Sequence, residues 1–256
     1  MAHVPASGPA RPDDAAPAAA HASEPGRRRR VQLPFWASVL LNVVLALTVV
    51  AVVQAFWVKV YSVPSGSMEQ TLQVGDRILV NRTAYPDGMA DPQDVVVFAA
   101  NEDWAADMGP EGPVENAVRT FGDLTGIGRS HEQALVKRVI GTEGQTVECC
   151  SAEGAVLVDG QPLDEPYIHN DLPFVPGRLD CESGDALSPR CFGPVTVPER
   201  SMLVLGDHRS NSADSVYQCR GVPAEDAGDC ARFVQDEDVV GRVFFTLWPP
   251  SNWGSP

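Results

Sequence analysis

Two short segments of the sequence carry side chains suited to nucleophilic chemistry. In the first, Ser65 and Ser67 flank a glycine, and a serine hydroxyl becomes a nucleophile when a base takes its proton. In the second, Lys137 lies among apolar residues in the sequence Leu-Val-Lys-Arg-Val-Ile-Gly. Burial and a nearby cation such as Arg138 lower the pKa of a lysine, and the neutral amine can then act as that base. Taken singly, the serines are also typical of a turn, and the lysine of a solvent-facing strand position.

Residues 205–215 form a third polar segment, directly after an apolar run. Its side chains can make the hydrogen bonds that orient a site, although a solvated turn has a similar composition. The spacing of its acidic residues does not fit an EF-hand calcium loop. His208 allows a Ser-His-Asp interpretation, but three residue types in one sequence define no geometry. His131 and His169 are isolated in the sequence, so we expect no metal and no cofactor.

The composition excludes several classes of protein. The chain has 256 residues, of which 19 are basic and 34 acidic, and its formal charge is -15. This length allows a domain with a real hydrophobic core and rules out a disulfide miniprotein. The negative charge argues against nucleic-acid binding, which needs clustered basic side chains. Lysine occurs only at positions 59 and 137, so a lysine inside an apolar run needs an explanation.

One N-terminal segment is long enough to cross a membrane. Residues 1–34 are rich in Ala, Pro and Gly and end in an arginine cluster at 27–30, which predicts a disordered tail. Residues 35–57 are apolar, and a helix of that length would span about 35 Å, enough for a bilayer. The arginines predict a single-pass plasma-membrane protein with a cytoplasmic N-terminus and an extracytoplasmic domain. A secretory signal cleaved near Ala55 is the alternative.

The remaining sequence, residues 60–250, predicts a β-rich extracytoplasmic domain. Short β-branched runs alternate with Gly, Pro and Asp turns, so we expect a mainly β fold of antiparallel sheets with one or two short helices. Two inserts are expected: residues 101–133, with helical apolar spacing at 113–124, and residues 164–200, which we expect to be irregular. The predicted strands are 77–81, 94–99, 135–140, 145–148, 155–159, 201–205 and 239–247.

All six cysteines follow the apolar segment, which agrees with an oxidising compartment. Their spacing fits no zinc pattern, and we expect the local disulfides Cys181–Cys191 and Cys219–Cys230. A disulfide within the adjacent pair Cys149–Cys150 would be strained, so the partners of these two residues stay open.

Together the segments resemble the type I signal peptidases, the membrane-anchored serine proteases that remove signal peptides from exported proteins. The resemblance covers roughly residues 35–250, and the motifs occur in the family's order. After the apolar segment, the matching pieces are Pro-Ser-Gly-Ser-Met-x-x-Thr-Leu at 64–72, Gly-Asp-Arg-Ile-Leu-Val at 75–80, Asp-Val-Val-Val-Phe at 94–98, Lys-Arg-Val-Ile-Gly at 137–141 and Gly-Asp-x-Arg-x-Asn-Ser-x-Asp-Ser at 206–215.

The resemblance implies a signal-peptidase-like β fold and a Ser/Lys dyad. By motif position, Ser67 is the nucleophile and Lys137 the general base. Ser65 would donate a hydrogen bond to the oxyanion alongside the backbone N–H of Ser67, and Ser212 would hold the lysine amine. The expected supporting residues are Asp207, Arg209 and Asp214, with Arg138 available to pair with Asp214.

The sequence departs from the family pattern at four positions. His208 stands where many members have Asn, and Ser210 where many have Asp. Val216 replaces an arginine that often follows the final serine, so we expect Asp214 to lack one partner. Gln70 stands where proline is common. These differences concern the salt bridges of the loop rather than the dyad.

The implied substrate is an exported preprotein whose signal helix still lies in the same membrane. Small residues in an Ala-x-Ala pattern would fit shallow apolar pockets, and the segment would bind along a strand edge near Ser67 or Lys137. We expect core packing for most of a set of large apolar residues, with the membrane as the other possibility: Met68, Phe98, Phe244, Phe245, Trp248 and Trp253. The alternatives are a Ser/Lys peptidase dedicated to pilus or conjugation proteins and a non-enzymatic, membrane-anchored β module.

Overall fold

The computed structural model describes residues 34–86, 88–101, 103–104, 133–182, 187–223 and 229–256. The helix predicted at 113–124 and the N-terminal tail lie outside these residues. The chain divides into two units, one ending at Val43 and the other running from Val44 to Pro256.

Helix α1, Phe35–Phe56, is apolar on every described face. It begins directly after Pro34, whose carbonyl oxygen accepts a hydrogen bond from the N–H of Ala37 at 2.9 Å. Its leucines and valines are exposed, and the span Phe35–Val53 is long and apolar enough to cross a bilayer. Because a helix satisfies its backbone hydrogen bonds internally, such a segment is suited to a lipid environment.

The described residues after α1 form two antiparallel sheets, which confirms the predicted mainly β fold. Most of the strands are rich in valine and other β-branched residues, whose stiff side chains favour extended backbone. The strands are β1 Val58–Ser62, β2 Arg77–Asn81, β3 Val95–Ala99, β4 Ala134–Thr142, β5 Thr146–Cys149, β6 Val156–Val158, β7 Gln161–Pro162, β8 Phe192–Thr196, β9 Ser201–Leu205, β10 Val234–Gln235 and β11 Val239–Trp248.

The larger sheet has seven strands in the order β1-β2-β11-β3-β4-β9-β10, and the smaller has four in the order β7-β6-β5-β8. Strand β11 lies between β2 and β3, so it joins the β1–β2 hairpin to the rest of the large sheet. Gly241 makes this close passage possible, because a Cβ there would come within 2.1 Å of the Asn81 carbonyl oxygen. Its φ of 156° accompanies a bulge in the pairing with β3.

Strand β3 is buried on both faces and separates two parts of the core. Val95 and Val97 pack in a cluster with Met68, whereas Val96 and Phe98 pack in another on the opposite face, as the alternation of a strand requires. A third cluster packs the small sheet against the ends of β4 and β9. The strands that carry the candidate site are therefore held from both sides.

The insert at 164–200 contains a strand that the sequence analysis did not predict. Strand β8 pairs with β5 in the small sheet, and its Phe192 is buried. Its sequence, Phe-Gly-Pro-Val-Thr, contains two residues that usually interrupt strands. The expectation of an entirely irregular insert is therefore wrong.

The described structure joins the six cysteines in three disulfides. The bonds Cys181–Cys191 and Cys219–Cys230 confirm the predicted local pairs. The adjacent pair Cys149–Cys150, whose partners the sequence left open, is joined to itself at the end of β5. Cross-linking is thus confined to the small sheet and the loops around it.

Candidate active site

The fold brings Ser67 and Lys137 together from two distant parts of the chain. Ser67 lies on a short 3-10 turn, Gly66–Met68, between β1 and β2. The next side chain, Met68, is fully buried in the core and so fixes the turn. Lys137 lies in the middle of β4, opposite Val96 of β3.

The amine of Lys137 contacts the hydroxyl of Ser67 directly. The distance from Lys137 Nζ to Ser67 Oγ is 2.6 Å, and the two residues are only 4% and 6% exposed. Nζ also donates to the carbonyl oxygen of Val136 at 3.1 Å. Among the described residues, no carboxylate lies within ion-pair distance of this amine.

Burial lowers the pKa of Lys137 from 10.5 to about 8. The carboxylates of Asp214 and Asp207 act in the opposite direction, and the positive charge of Arg232 lowers the pKa further. The cation that lowers the pKa is thus Arg232 and not Arg138, the residue expected from the sequence. A pKa near 8 leaves part of the amine neutral near neutral pH, which a proton acceptor requires.

Ser65 lies on the exposed side of this pair. Its Oγ is 3.5 Å from Ser67 Oγ, a long contact in which Ser65 donates. The Ser65 side chain is exposed, whereas Ser67 is buried. A hydroxyl in this position is free to turn toward a group that approaches Ser67 from solvent.

The loop after β9 packs tightly against the turn Gly66–Met68, called the nucleophile turn below because Ser67 is the predicted nucleophile. A Cβ on Gly206 would lie 2.3 Å from Ser212 Oγ and 2.6 Å from the carbonyl oxygen of Ser67, so only glycine fits. Ser212 Oγ is buried and has no hydrogen-bond partner among the described residues. The predicted hydrogen bond from Ser212 to Lys137 is therefore not made, although the fold places Ser212 behind the same turn.

Asp207 is the centre of a buried polar cluster. Arg138 forks onto its two carboxylate oxygens at 2.9 and 2.7 Å, and the Thr71 hydroxyl donates to it at 2.5 Å. The guanidinium of Arg138 also lies 3.9 Å from the centre of the Tyr167 ring. Arg138 is thus committed to Asp207, and the expected pair of Arg138 with Asp214 is wrong.

Asp214 has an arginine partner that the sequence analysis did not find. Arg220 Nη2 lies 3.0 Å from Asp214 Oδ2, and the same oxygen accepts the N–H of Gly206 at 3.2 Å. Arg220 is adjacent to Cys219, so the Cys219–Cys230 disulfide holds the segment that carries it. An arginine four residues after Val216 therefore supplies the cation that the sequence pattern led us to expect to be missing. Asp214 Oδ1, however, is buried and has no hydrogen-bond partner among the described residues, so Asp214 does lack one partner at that oxygen.

Arg209 links the loop after β9 to the 164–200 insert. Its Nε donates to the Gly206 carbonyl oxygen at 3.1 Å, and its Nη2 forms a buried ion pair with Glu165. Glu165 comes from the 164–200 insert, and no motif in the sequence pointed to it.

His208 contacts Glu69 rather than Ser67 Oγ or Lys137 Nζ. Its Nδ1 lies 2.9 Å from Glu69 Oε2 and 3.2 Å from the Gly66 carbonyl oxygen. Lys137, and not His208, is the hydrogen-bonded neighbour of the Ser67 hydroxyl. The ring of His169 lies 5.1 Å from that of His208, so the view of His169 as isolated is also wrong.

Strand β4 has an open side next to Lys137. On one side, residues 134–138 pair with β3. On the other, β9 begins to pair only at Arg138, opposite Leu205, and no described strand pairs with residues 134–137 there. Addition of an extended peptide to a strand edge of this kind is a recurring mode of peptide recognition.

A buried amine in contact with a serine hydroxyl is the arrangement of hydrolases that use lysine in place of histidine as the base. The family model described as "Signal peptidase, peptidase S26" matches residues 36–248. A probable signal peptidase I of Mycobacterium leprae is 35% identical, over 94% of this chain and 84% of the relative. Signal peptidase I of Mycobacterium tuberculosis is also 35% identical, over 96% of this chain and 85% of the relative. A crystal structure of a signal peptidase I from Enterococcus faecalis V583 overlaps with a TM-score of 0.32 at 22% identity, over 60% of this chain and 96% of that one.

The site and these similarities define the protein class as a membrane-associated peptidase. The chain belongs to the signal peptidase family, peptidase S26, and is a serine peptidase that removes signal peptides. This membership and the apolar helix α1 indicate a membrane-anchored protein. The family membership also excludes the alternative of a non-enzymatic β module.

Proposed function

We propose that Ser67 and Lys137 are the catalytic dyad of this peptidase. The observation that carries the proposal is the buried contact of 2.6 Å between Lys137 Nζ and Ser67 Oγ. Neutral Lys137 accepts the Ser67 proton as Oγ attacks the scissile carbonyl carbon. The resulting ammonium gives its proton to the leaving amine. The C-terminal fragment departs, and the N-terminal fragment stays bound to Ser67 Oγ as an acyl-enzyme ester. A water deprotonated by the same amine then attacks the ester and releases the product.

The oxyanion of the tetrahedral intermediate is stabilised by the Ser65 hydroxyl and the backbone N–H of Ser67. The position of Ser65 on the exposed side of the dyad supports this role. Ser212, Arg138, Asp207, Arg209 and Asp214 hold the turn and the loop in place without touching the substrate. These residues position Ser67 through Gly206, which packs directly against the Ser67 backbone.

The substrate is an exported preprotein, cut after an Ala-x-Ala sequence. Its extended segment adds to the open side of β4 at residues 134–137, where main-chain hydrogen bonds are available. This edge lies beside Lys137, so a bound strand would deliver its carbonyl carbon to Ser67. Small side chains suit a site in which the turn and the loop approach so closely.

The N-terminal tail lies in the cytoplasm, and the domain of residues 60–250 outside it. The arginine cluster at 27–30 supports this orientation, because positive flanks are retained on the cytoplasmic side. The disulfides support an oxidising compartment for the domain. A shared membrane raises the local concentration of enzyme and substrate.

The test is cleavage of a preprotein with an Ala-x-Ala site by the full chain in liposomes. Ser67→Ala and Lys137→Arg should lose activity by at least about a thousandfold, since arginine keeps the charge but cannot deprotonate. Lys59→Arg, at the other lysine, and Ser251→Ala, at an exposed serine, should cleave as the wild type does. Full activity in folded Lys137→Arg would refute the dyad. Cleavage of only one narrow set of preproteins would instead favour the dedicated maturation peptidase.

A further inference from the structure

Three metal-ligand side chains meet on the outer side of the nucleophile turn. One oxygen of Glu69 and one ring nitrogen each of His169 and His208 lie within 4.8 Å of one another. All three residues are partly buried. They come from three separate segments, so nothing in the sequence spacing points to the cluster.

The backbone holds each of these ligands near the others. His208 N–H donates to the Ser67 carbonyl oxygen at 3.1 Å, and His169 N–H donates to the Asp207 carbonyl oxygen at 2.8 Å. The Glu69 carboxylate folds back over Gly66, where a Cβ would come within 2.8 Å of it. The ligand atoms would have to move somewhat closer to share one ion, because metal–ligand distances of about 2.1 Å allow at most about 4.2 Å between two ligand atoms.

An ion pair between Glu69 and His208 explains only part of this arrangement. It uses Nδ1 of His208 and one carboxylate oxygen. It gives no role to His169, whose ring has no side-chain hydrogen bond within the described part of the chain. Two imidazoles and one carboxylate form the ligand set of many sites for divalent first-row metals, with positions left for water.

We propose that Glu69, His169 and His208 bind one divalent first-row cation, of which Zn²⁺ is the test ion. The Gly66 carbonyl oxygen, 3.2 Å from His208 Nδ1, is placed to orient that ring. The ion would lie beside the turn that carries Ser67, outside the proposed dyad. Its binding does not depend on the peptidase mechanism being correct.

The experiment measures Zn²⁺ binding to the full chain in detergent by titration calorimetry. The wild type should bind one more ion than His169→Gln, or bind Zn²⁺ at least about tenfold more tightly. Glu69→Gln should show the same loss, whereas Glu153→Gln, at an exposed glutamate, should bind as the wild type does. Bound Co²⁺ should give d–d absorption in the wild type that is lost in His169→Gln.

The melting temperature without metal shows whether each variant is folded. Zn²⁺ should raise the melting temperature of the wild type and leave that of His169→Gln unchanged. Equal Zn²⁺ affinity and stoichiometry in the wild type and in both ligand variants would overturn the proposal, and so would the absence of binding to the wild type. Neither result depends on cleavage activity.

Discussion

Lys137 is a buried amine, and the two carboxylates that raise its pKa are each paired with an arginine. Arg138 binds Asp207 and Arg220 binds Asp214, so neither acid pairs with the lysine. A direct salt bridge would stabilise the ammonium and raise the pKa of Lys137. By pairing with these carboxylates, the two arginines help to keep the Lys137 amine neutral.

The pH dependence of cleavage should follow Lys137. Because only the neutral amine accepts the Ser67 proton, the rate should rise with pH through about 8 and level off above it. Single-turnover cleavage measured across pH tests this. Ser65→Ala should lower the plateau rate without shifting the rising part of the profile, the acid limb, because the role proposed for Ser65 is to stabilise the oxyanion. A limb well below pH 7 would contradict the assignment of Lys137 as the base.

Arg220 should tune the pKa of Lys137 through Asp214. In Arg220→Gln the negative charge of Asp214 is no longer balanced, so the acid limb should move to higher pH and the rate at neutral pH should fall. Arg220→Lys keeps the charge and should move the limb less. The matched control Arg200→Gln removes an exposed pair with Asp236 and should leave the limb in place. An unchanged limb in folded Arg220→Gln would show that Asp214 does not influence the pKa of Lys137.

The sequence revealed the dyad candidates but not most of their partners. Ser67 and Lys137 stand in local motifs, which can be read without knowing the fold. Glu165, Arg220 and the contact of His169 with His208 depend on how the loops pack. Arginines are interchangeable in a sequence pattern, so geometry alone decides which one reaches Asp214.

At the scale of the elements, the loop after β9 acts as a wedge against the nucleophile turn. Gly206→Ala would push a methyl group into Ser212 Oγ and the Ser67 carbonyl oxygen. We expect a loss of about 1–3 kcal/mol in the free energy of unfolding, together with a large loss of cleavage. Chemical denaturation and a cleavage assay measure the two effects. Gly160→Ala is not a suitable control because its φ is 73°, whereas Gly254→Ala has open space and should be silent.

The end of β11 exposes several large apolar side chains. Phe244, Leu247 and Trp248 are exposed, as is Trp253 just after the strand, so the expectation that these residues lie in the core is wrong for the two tryptophans. Aromatic side chains of this kind partition to the membrane–water interface.

Removing these aromatic side chains should weaken membrane contact. The double substitution Trp248→Ser and Trp253→Ser should slow cleavage of a preprotein in liposomes but not of a soluble peptide. The control Tyr217→Ser changes another exposed aromatic residue, remote in sequence from β11. An equal loss on both substrates would point to a structural role instead.

Apolar, β-branched runs in the sequence predicted most of the strands but missed β1 and β8. Strands β2, β4 and β9 lie at or near their expected positions, because each has a β-branched, apolar sequence. Strand β1 follows the apolar segment so closely that no turn signal separates the two. Strand β8 contains Gly and Pro, and only its pairing with β5 makes it a strand.

At the scale of the whole molecule, the arginine cluster should set the orientation of the chain in the membrane. Replacing the four arginines at 27–30 by glutamine should give a mixed orientation, because the positive flank is removed. Protease accessibility of the C-terminal domain in sealed vesicles measures the fraction on each side. Replacing the single Arg11 should have no effect. A uniform orientation in the fourfold variant would show that another feature directs insertion.

The position of β11 in the sheet has a consequence for when the enzyme becomes active during its own synthesis. Among the described strands, β1 and β2, which flank Ser67, are linked to β3 and β4 through β11, which comes much later in the chain. A nascent chain emerging across the membrane would thus carry both dyad residues without the strand that registers them. The peptidase is therefore expected to stay inactive until β11 has been exported, so the order of the strands along the chain delays activity to the end of synthesis.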